Sequence, residues 1–352
     1  MKHLVVEKEK MRHNLALTRE RARGAALIGV LKGDAYGLGL LESARLMRDA
    51  GVRRFAVSEP SDGALLRRDG FTDEEILLLR STAVPAEIEA LLDAGLVATV
   101  GSRDAALALS GLAERRSTVA EAHLKIDTGI GRYGFLPEEF DKILSLYRYI
   151  PNLALSGVYT HLNAHARPKA VAEQLTRFRA VLTRLRSEGV ETGFIHAAGS
   201  GALFRHDLPK LDAVRVGLSV SGRVPGRHGL QPVGYLEAVV TEVRWLPKGA
   251  RVGTSLVHTC RRPTRVGVLP VGLADGFTVD RARRPRPLDR VRPFRAPTVR
   301  VGGPGGERAP VLGNVGLHHT VIDITPLSCG LGDTVCLDVN PLFAARLPKL
   351  YR

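Results

Sequence analysis

At 352 residues, 44% of them hydrophobic, the chain is long enough for one large domain and a second, smaller one. Its charged first 24 residues lack the apolar segment of a secretory signal, and no later run reaches the roughly 18 apolar residues that span a bilayer, so we expect a cytoplasmic protein with no membrane partner. The net charge of +15 comes mostly from scattered arginines rather than from one continuous patch, so we expect no nucleic-acid partner.

Apolar, β-branched runs alternate with helical patterns through the first two thirds of the chain, which is typical of βα units and a parallel sheet. Eight strands are predicted, at 26–33, 54–60, 75–80, 96–102, 121–129, 153–162, 192–200 and 213–222. Eight strands with intervening helices predict an α/β fold, a (β/α)8 TIM barrel with its active site at the C-terminal ends of the strands. A doubly wound sheet is the alternative, but it would more often stop at five or six strands.

After about residue 225 the pattern changes to short strands separated by Gly and Pro, which indicates a C-terminal mainly-β domain. We therefore assign residues 1–225 to the barrel and residues 226–352 to the β domain. The segment 281–295 concentrates arginine and proline, and we interpret it as a solvated loop, with a polyanion contact as the alternative. The β-domain strands are predicted at 236–246, 265–272, 296–303, 309–316, 319–326 and 333–339.

Polar residues at the ends of the predicted strands should converge on one face of the barrel. Lys32 lies in an apolar run, where desolvation lowers the pKa of an amine and makes it a better nucleophile; a strand-end lysine that reaches solvent is the alternative. The Gly-rich stretches after strands seven and eight offer backbone N–H groups in the two loops that most often bind phosphate in this fold. A lysine beside a phosphate pocket indicates pyridoxal phosphate. The converging residues are Lys32, Lys125, Asp127, Arg132, His161, His196, Ser200 and Arg215.

No metal site is predicted. The cysteines at 260, 329 and 336 lack metal-ligand spacing, and so few cysteines do not form a disulfide framework. We interpret all three as structural thiols.

Seven motifs, in one order and over nearly the whole chain, resemble those of the alanine racemase family, the fold-type III pyridoxal-phosphate enzymes. The resemblance implies a pyridoxal 5'-phosphate enzyme that acts on the α-carbon of an amino acid. It also implies a homodimer with shared active sites. The motifs are LKGDAYGLG, HLKIDTGIGRYGF, GVYTHL, HAAGSGALFR, VRVGLSVSG, VLPVGLADGF and APVLGNVGLHHTVIDIT.

The resemblance assigns roles to four cationic residues. Lys32 would hold the cofactor covalently and act as base on one face of the substrate. Arg132 would meet the phenolic oxygen of the cofactor and the substrate carboxylate, and Arg215 would face the pyridine nitrogen and keep it unprotonated. Lys125 matches a lysine that some relatives carbamylate to orient the arginine at 132; an ordinary ammonium is the alternative.

The remaining cofactor contacts are implied in the same way. Ser200, the Tyr36 hydroxyl and the backbone of Gly217 and Leu218 would bind the phosphate. The rings of His161 and His196 would stack or hydrogen-bond around the cofactor, although His196 could equally be a core histidine.

The chain departs from the family at the second base, a tyrosine that the β domain of the partner subunit supplies. Inverting a stereocentre requires proton removal on one face and delivery on the other. No tyrosine occurs between Tyr235 and Tyr351; the family's base aligns with Thr254 and a second family tyrosine with Leu273. We predict His318 as the replacement, because the family directs a side chain at the substrate from this position and histidine titrates near neutral pH. The other candidates are His258, Cys260 and His319.

Three functions therefore stay open. The first is an amino-acid racemase or epimerase with an altered second base. The second is chemistry on one face of the substrate, such as decarboxylation, retro-aldol cleavage or β-elimination. The third is a catalytically inactive homologue that binds the cofactor or a polyanion. We place the first ahead, because relatives with both domains are mostly racemases, an argument from fold alone.

Overall fold

The computed structural model describes residues 2–163, 166–253, 256–279 and 297–352, and these form two compact units. One, here called the barrel unit, comprises Lys10–Ala35 and Leu40–Pro232. The other, the β unit, comprises Met1–Glu9, Tyr36–Gly39 and Val233–Arg352. The division expected between residues 225 and 226 stays a prediction. The arginine-rich segment 281–295 lies outside the described residues.

The barrel unit contains a closed barrel of eight parallel strands, which confirms the predicted TIM barrel. The first strand closes on the last, with Ala26 opposite Ala213 and Ile28 opposite Arg215. Most strand residues are buried, because helices cover the outside and side chains fill the inside. The strands are β2 (Ala26–Val30), β3 (Arg54–Val57), β4 (Glu75–Ser81), β5 (Val97–Val100), β6 (Ala120–Lys125), β7 (Leu153–Tyr159), β8 (Phe194–Gly199) and β9 (Ala213–Val216).

Helices connect the strands, and local sequence sets where they begin. Pro60, Pro85 and Pro168 each occupy the first turn of a helix, where the missing N–H is no loss. Ser102 caps another helix by accepting the Ala105 N–H at 3.2 Å. The helices are α1 (Lys8–Arg21), α3 (Leu40–Asp49), α4 (Pro60–Arg68), α5 (Pro85–Asp93), α6 (Arg103–Arg115), α7 (Phe140–Tyr149), α8 (Pro168–Ser187) and α9 (Ser200–Arg205); α2 is a turn in the candidate site.

Among its described residues the β unit contains three sheets, which confirms the predicted mainly-β character of the C-terminal part. The strands are β1 (Lys2–Val6), β10 (Tyr235–Val239), β11 (Glu242–Leu246), β12 (Arg251–Val252), β13 (His258–Thr259), β14 (Thr264–Leu269), β15 (Thr298–Val301), β16 (Glu307–Pro310), β17 (Thr320–Asp323), β18 (Thr334–Leu337) and β19 (Lys349–Tyr351). The largest sheet has the order β16-β15-β18-β10-β1-β19, so a strand from the first six residues of the chain lies inside it. That strand was not predicted from the sequence.

Within the described ranges, no helix is both long enough and apolar enough to cross a membrane. The predicted cytoplasmic location stays a prediction.

A buried asparagine in α1 anchors the loop that follows β9. The Asn14 side chain donates to the carbonyls of Val220 at 3.0 Å and Gln231 at 2.7 Å, and its oxygen accepts the Gln231 N–H at 2.7 Å. The Asn14 side chain is fully buried, and these hydrogen bonds satisfy its amide in place of water.

We expect Asn14→Ala to lower the free energy of unfolding by about 2 kcal/mol, because the buried Val220 carbonyl and the two backbone groups of Gln231 lose their partner at once. Urea denaturation followed by circular dichroism measures this. Glu20→Ala, at an exposed position of the same helix, is the control and should change the value by less than about 0.5 kcal/mol. Equal effects of the two substitutions would contradict an anchoring role for Asn14.

Candidate active site

Lys32 opens a short turn directly after β2. The turn, α2 (Lys32–Tyr36), is left-handed: φ is 60° at Gly33, 55° at Asp34 and 52° at Ala35. This conformation costs a non-glycine residue about 1–2 kcal/mol, so neighbouring contacts must hold it. One such contact joins Asp34 Oδ1 to the N–H of Leu40 at 2.7 Å. The turn holds Lys32 in place at the C-terminal end of a barrel strand.

The environment of Lys32 is only partly as the sequence predicted. Its surface is solvent-exposed, so the lysine is not enclosed in the apolar run that precedes it. Protein atoms still surround it closely enough that partial burial lowers its pKa, and the charges of Arg132 and Arg215 lower it further. A lysine with a lowered pKa carries more free amine near neutral pH and is therefore a better nucleophile and base.

Lys125 and Arg215 both lie over one aromatic ring, that of Tyr159. The Lys125 Nζ lies 4.4 Å from the centroid of the Tyr159 ring, and the Arg215 Cζ lies 5.1 Å from it. The Tyr159 hydroxyl is hydrogen-bonded to Thr99 Oγ1 at 2.9 Å, which fixes the ring. Burial, then the charges of Arg215 and Arg132, lower the pKa of Lys125 to about 7. The ring attracts both cations and so offsets part of their mutual repulsion.

Arg215 is almost fully buried and donates to several acceptors. Its Nη1 donates to Nδ1 of His196, and its Nη2 lies 2.6 Å from the carbonyl of Thr160, 3.0 Å from that of Ala197 and 3.0 Å from Nδ1 of His161. Burial first and then Arg215 lower the pKa of both histidines well below the ordinary value. Both rings are therefore neutral and can accept from the guanidinium.

The loop that carries Arg132 is organised by one carboxylate. Asp127 Oδ1 accepts the N–H groups of Gly129 and Ile130 at 2.9 and 2.7 Å, and Oδ2 accepts those of Gly131 and Arg132 at 2.7 and 3.2 Å. Burial raises the pKa of Asp127, but these four hydrogen bonds together lower it by more. The Arg132 side chain is exposed and lies over the Tyr133 ring.

The loops after β8 and β9 meet at a serine, Ser200. Ser200 Oγ accepts the N–H groups of Gly217 at 3.3 Å and Ser219 at 3.1 Å, and donates to Ser219 Oγ at 3.1 Å. Leu218 is half-buried, and its carbonyl accepts the hydroxyl of Ser221 at 2.8 Å. The result is a buried polar cluster with hydroxyl and backbone N–H donors, the groups that bind phosphate.

Two predicted site residues belong to the β unit. Tyr36 is half-buried and begins a segment that packs within that unit, because a Cβ atom on the next residue, Gly37, would lie 2.0 Å from the Pro341 carbonyl oxygen. His318 is exposed and follows Leu317, whose side chain is 62% exposed. Their roles stay predictions, and Thr254 lies outside the described residues.

The donor set of the barrel unit fits pyridoxal phosphate. The amine of Lys32 can bind an aldehyde carbon, and the cations at 125, 132 and 215 suit a ligand that carries a phosphate and a phenolic oxygen. A site with this excess of positive charge favours an anionic ligand.

Several residues that shape this site were not predicted to belong to it. The cations of Lys125 and Arg215 lie over the Tyr159 ring. Nδ1 of His123 is hydrogen-bonded to Nε2 of His196 at 3.0 Å. A signal for His123 was present, because it lies two residues before Lys125 on one strand and so points to the same face.

Comparison with known proteins gives one family for both units. Residues 6–225 match alanine racemase, N-terminal domain, and residues 233–341 match alanine racemase, C-terminal domain. The alanine racemase of Carboxydothermus hydrogenoformans is 36% identical over 280 residues, 77% of this chain and 75% of the relative. That of Geobacter sulfurreducens is 31% identical over 345 residues, 94% and 86% of the two chains. The solved alanine racemase from Streptomyces coelicolor A3(2) has a TM-score of 0.85 and 26% identity, with 99% and 97% of the two chains covered.

Asp127→Ala should lower the free energy of unfolding by about 2 kcal/mol at pH 7, since a carboxylate that accepts four N–H groups is lost. Because its pKa is lower in the folded state, the contribution is complete above the unfolded value of about 3.9 and is lost as the pH falls through the folded value. The difference between wild type and variant should therefore shrink on acidification, which urea denaturation at pH 7 and pH 3 measures.

Asp127→Asn is the matched control. Its amide keeps the size of the side chain and one accepting oxygen, so it should recover part of the stability and titrate no charge. A difference between wild type and Asp127→Ala that stays constant from pH 7 to pH 3 would contradict the role of the ionised carboxylate.

Proposed function

The chain belongs to the alanine racemase family, whose enzymes use pyridoxal 5'-phosphate, and we propose that it is an amino-acid racemase or epimerase that acts at the α-carbon with an altered second base. The observation that carries this proposal is Lys32, an amine at the end of a barrel strand with a pKa lowered by partial burial, Arg132 and Arg215. Racemisation begins with removal of the α-proton, and a lysine amine with a lowered pKa can accept it.

The cofactor, when bound, supplies an electron-withdrawing ring that makes the α-proton of an amino acid more acidic. Lys32 would hold the cofactor at rest. Once the amine of the substrate has replaced Lys32 on the cofactor, the freed Lys32 amine would accept that proton on one face of the substrate. Arg132 binds the substrate carboxylate and the phenolic oxygen, as a guanidinium suits both. The loop geometry set by Asp127 supports this assignment, because it orders the backbone that carries Arg132.

The phosphate is assigned to Ser200, the backbone of Gly217 and Leu218, and Tyr36. The buried hydrogen bonds that join Ser200 to the backbone of Gly217 and of Ser219 support the assignment. Arg215 is assigned to the pyridine nitrogen. Its buried side chain, held by the Thr160 and Ala197 carbonyls, stays a cation and would discourage protonation of that nitrogen.

The second acid or base is assigned to His318 of the partner subunit, so the protein would work as a homodimer with shared sites. The substrate is a free amino acid. The support is that His318 is exposed within its own chain and therefore accessible to a second one. A histidine can carry a proton in the pH range where a racemase operates.

One-face chemistry is the second candidate function, and the absence of any tyrosine between Tyr235 and Tyr351 favours it. Decarboxylation, retro-aldol cleavage and β-elimination need proton transfer on one face of the substrate only, so an enzyme of this kind tolerates the loss of the group on the other face.

We expect the purified holoenzyme to exchange the α-proton of at least one proteinogenic amino acid in D2O and to invert its configuration. Proton NMR measures the exchange and chiral chromatography measures the inversion. Exchange with retention of configuration would favour one-face chemistry. Absence of exchange with all twenty amino acids would contradict the proposed function.

Lys32→Ala should abolish the visible absorption of the bound cofactor together with the exchange, since the covalent attachment is lost. Lys169→Ala, at an exposed position in α8, is the matched control and should retain both. If Lys32→Ala kept the absorption band unchanged, the assignment of Lys32 would be wrong.

His318→Ala should lower kcat about a hundredfold, a usual effect of removing a proton-transfer group, without releasing the cofactor. Steady-state racemisation assays and the absorption spectrum of the dialysed variant measure the two effects. The neighbouring exposed residue provides a matched control, His319→Ala, which should stay within about twofold of wild type. Unchanged turnover in His318→Ala would remove this residue from the mechanism.

A further inference from the structure

A row of hydrogen-bonding side chains crosses the barrel interior beneath the candidate site. Arg215 on β9 donates to Nδ1 of His196 on β8, whose Nε2 lies 3.0 Å from Nδ1 of His123 on β6. The Nε2 of His123 lies 3.9 Å from Glu75 Oε1 on β4. His196 is fully buried and His123 is 1% exposed. Neither His123 nor Glu75 has a part in the proposed chemistry.

The chemistry of these groups sets the direction of each hydrogen bond. A guanidinium can only donate, so the Nδ1 of His196 must present a lone pair to Arg215. Burial, Arg215 and His123 keep the pKa of His196 well below the ordinary value, so the ring is neutral and has a single N–H, on Nε2. That N–H points to Nδ1 of His123, which must accept it.

The same reasoning fixes His123. Burial, followed by the charges of Arg54 and Arg215, lowers the pKa of His123 to about 4, so this ring is also neutral. Because its Nδ1 accepts, its N–H is on Nε2, on the side of the Glu75 carboxylate. Glu75 is itself held by Arg54, whose Nε donates to Glu75 Oε2 at 2.8 Å. The N–H groups of Arg215, His196 and His123 thus each point to the next residue, and the last one points toward the Glu75 carboxylate.

The barrel backbone is shaped around the His123 ring. A Cβ atom at Gly157 would lie 2.7 Å from both Cδ2 and Nε2 of His123, so the neighbouring strand accommodates the imidazole only because it has glycine there. The centroid of the His123 ring also lies 6.4 Å from the centroid of the Phe194 ring, with an angle of 44° between the two planes. These contacts leave His123 little freedom to turn away from His196.

We propose that His123 is a positioning residue for Arg215. His123 accepts the Nε2 N–H of His196 and so keeps the proton of that ring on Nε2. The unprotonated Nδ1 of His196 then accepts from the Arg215 guanidinium, which would hold the guanidinium in one orientation at the cofactor ring. The proposal rests on the cofactor contact proposed for Arg215. Without an acceptor at His123, the proton of His196 can move to Nδ1, where it would oppose the N–H of Arg215 and displace it.

Two substitutions separate this role from packing. His123→Asn places an amide oxygen near the position of Nδ1, where it can accept from His196. His123→Gln carries the same functional group one methylene further out, on the Nε2 side. Phe194→Leu is the packing control, because it alters the contact with the His123 ring without removing a hydrogen bond of the row.

The main measurement is nitrogen NMR of histidine-labelled holoenzyme and apoprotein, with the His196 signals identified from a His196→Gln sample. Wild type, His123→Asn and Phe194→Leu should show His196 with its proton on Nε2. His123→Gln should show the Nδ1-protonated form or a mixture. In titrations of the apoprotein, His123→Gln should weaken pyridoxal 5'-phosphate binding about tenfold, the effect of one buried hydrogen bond, and lower kcat with little change in KM.

Retention of the wild-type His196 tautomer and cofactor affinity in His123→Gln would overturn the proposal. Equal losses in His123→Asn and His123→Gln would also overturn it, since the role would then be packing. The tautomer and the cofactor affinity can be measured whether or not the protein racemises an amino acid. If the protein exchanged the α-proton of no amino acid, the proposed function would be contradicted, but the tautomer of His196 in the apoprotein would still test the role of His123.

Discussion

The buried guanidinium of Arg215 is the constraint on which the rest of the site depends. A permanent cation inside a protein is costly unless its hydrogens find acceptors, and here backbone carbonyls at 160 and 197 and two histidine nitrogens provide them. The histidines must stay neutral to do so, and burial with the nearby positive charge ensures this. The same charge lowers the pKa of Lys125 and of Lys32.

This electrostatic arrangement connects the fold to its ligand. A barrel brings the ends of eight strands to one face, so cations that are far apart in sequence collect there. Tyr159 and the hydrogen bonds of Asp127 hold three of them in defined places despite their repulsion. An anionic cofactor and the carboxylate of an amino acid would supply the missing negative charge, and this is why the family assignment and the geometry support the same function.

The sequence predicted the eight barrel strands closely because their signal is local: apolar, β-branched runs bounded by turns. It also identified Lys32, Arg132, Ser200 and Arg215 from motifs that survive in this chain. It did not predict that β1 joins the sheet of the β unit, because a five-residue strand at the start of a chain has no local signal that names its partner. It also placed Lys32 in an apolar run; the residue is solvent-exposed, and partial burial still lowers its pKa.

The sequence by itself determined the family, the barrel and the identity of the cationic residues, since these depend on residue type and order along the chain. Only the tertiary structure decided which nitrogen of His196 accepts from Arg215 and that His123 is hydrogen-bonded to the other nitrogen. It also decided that Lys125 and Arg215 both lie over the Tyr159 ring. Those relations join strands that are tens of residues apart. Their physical basis is burial and the direction of hydrogen bonds, which exist only once the barrel has closed.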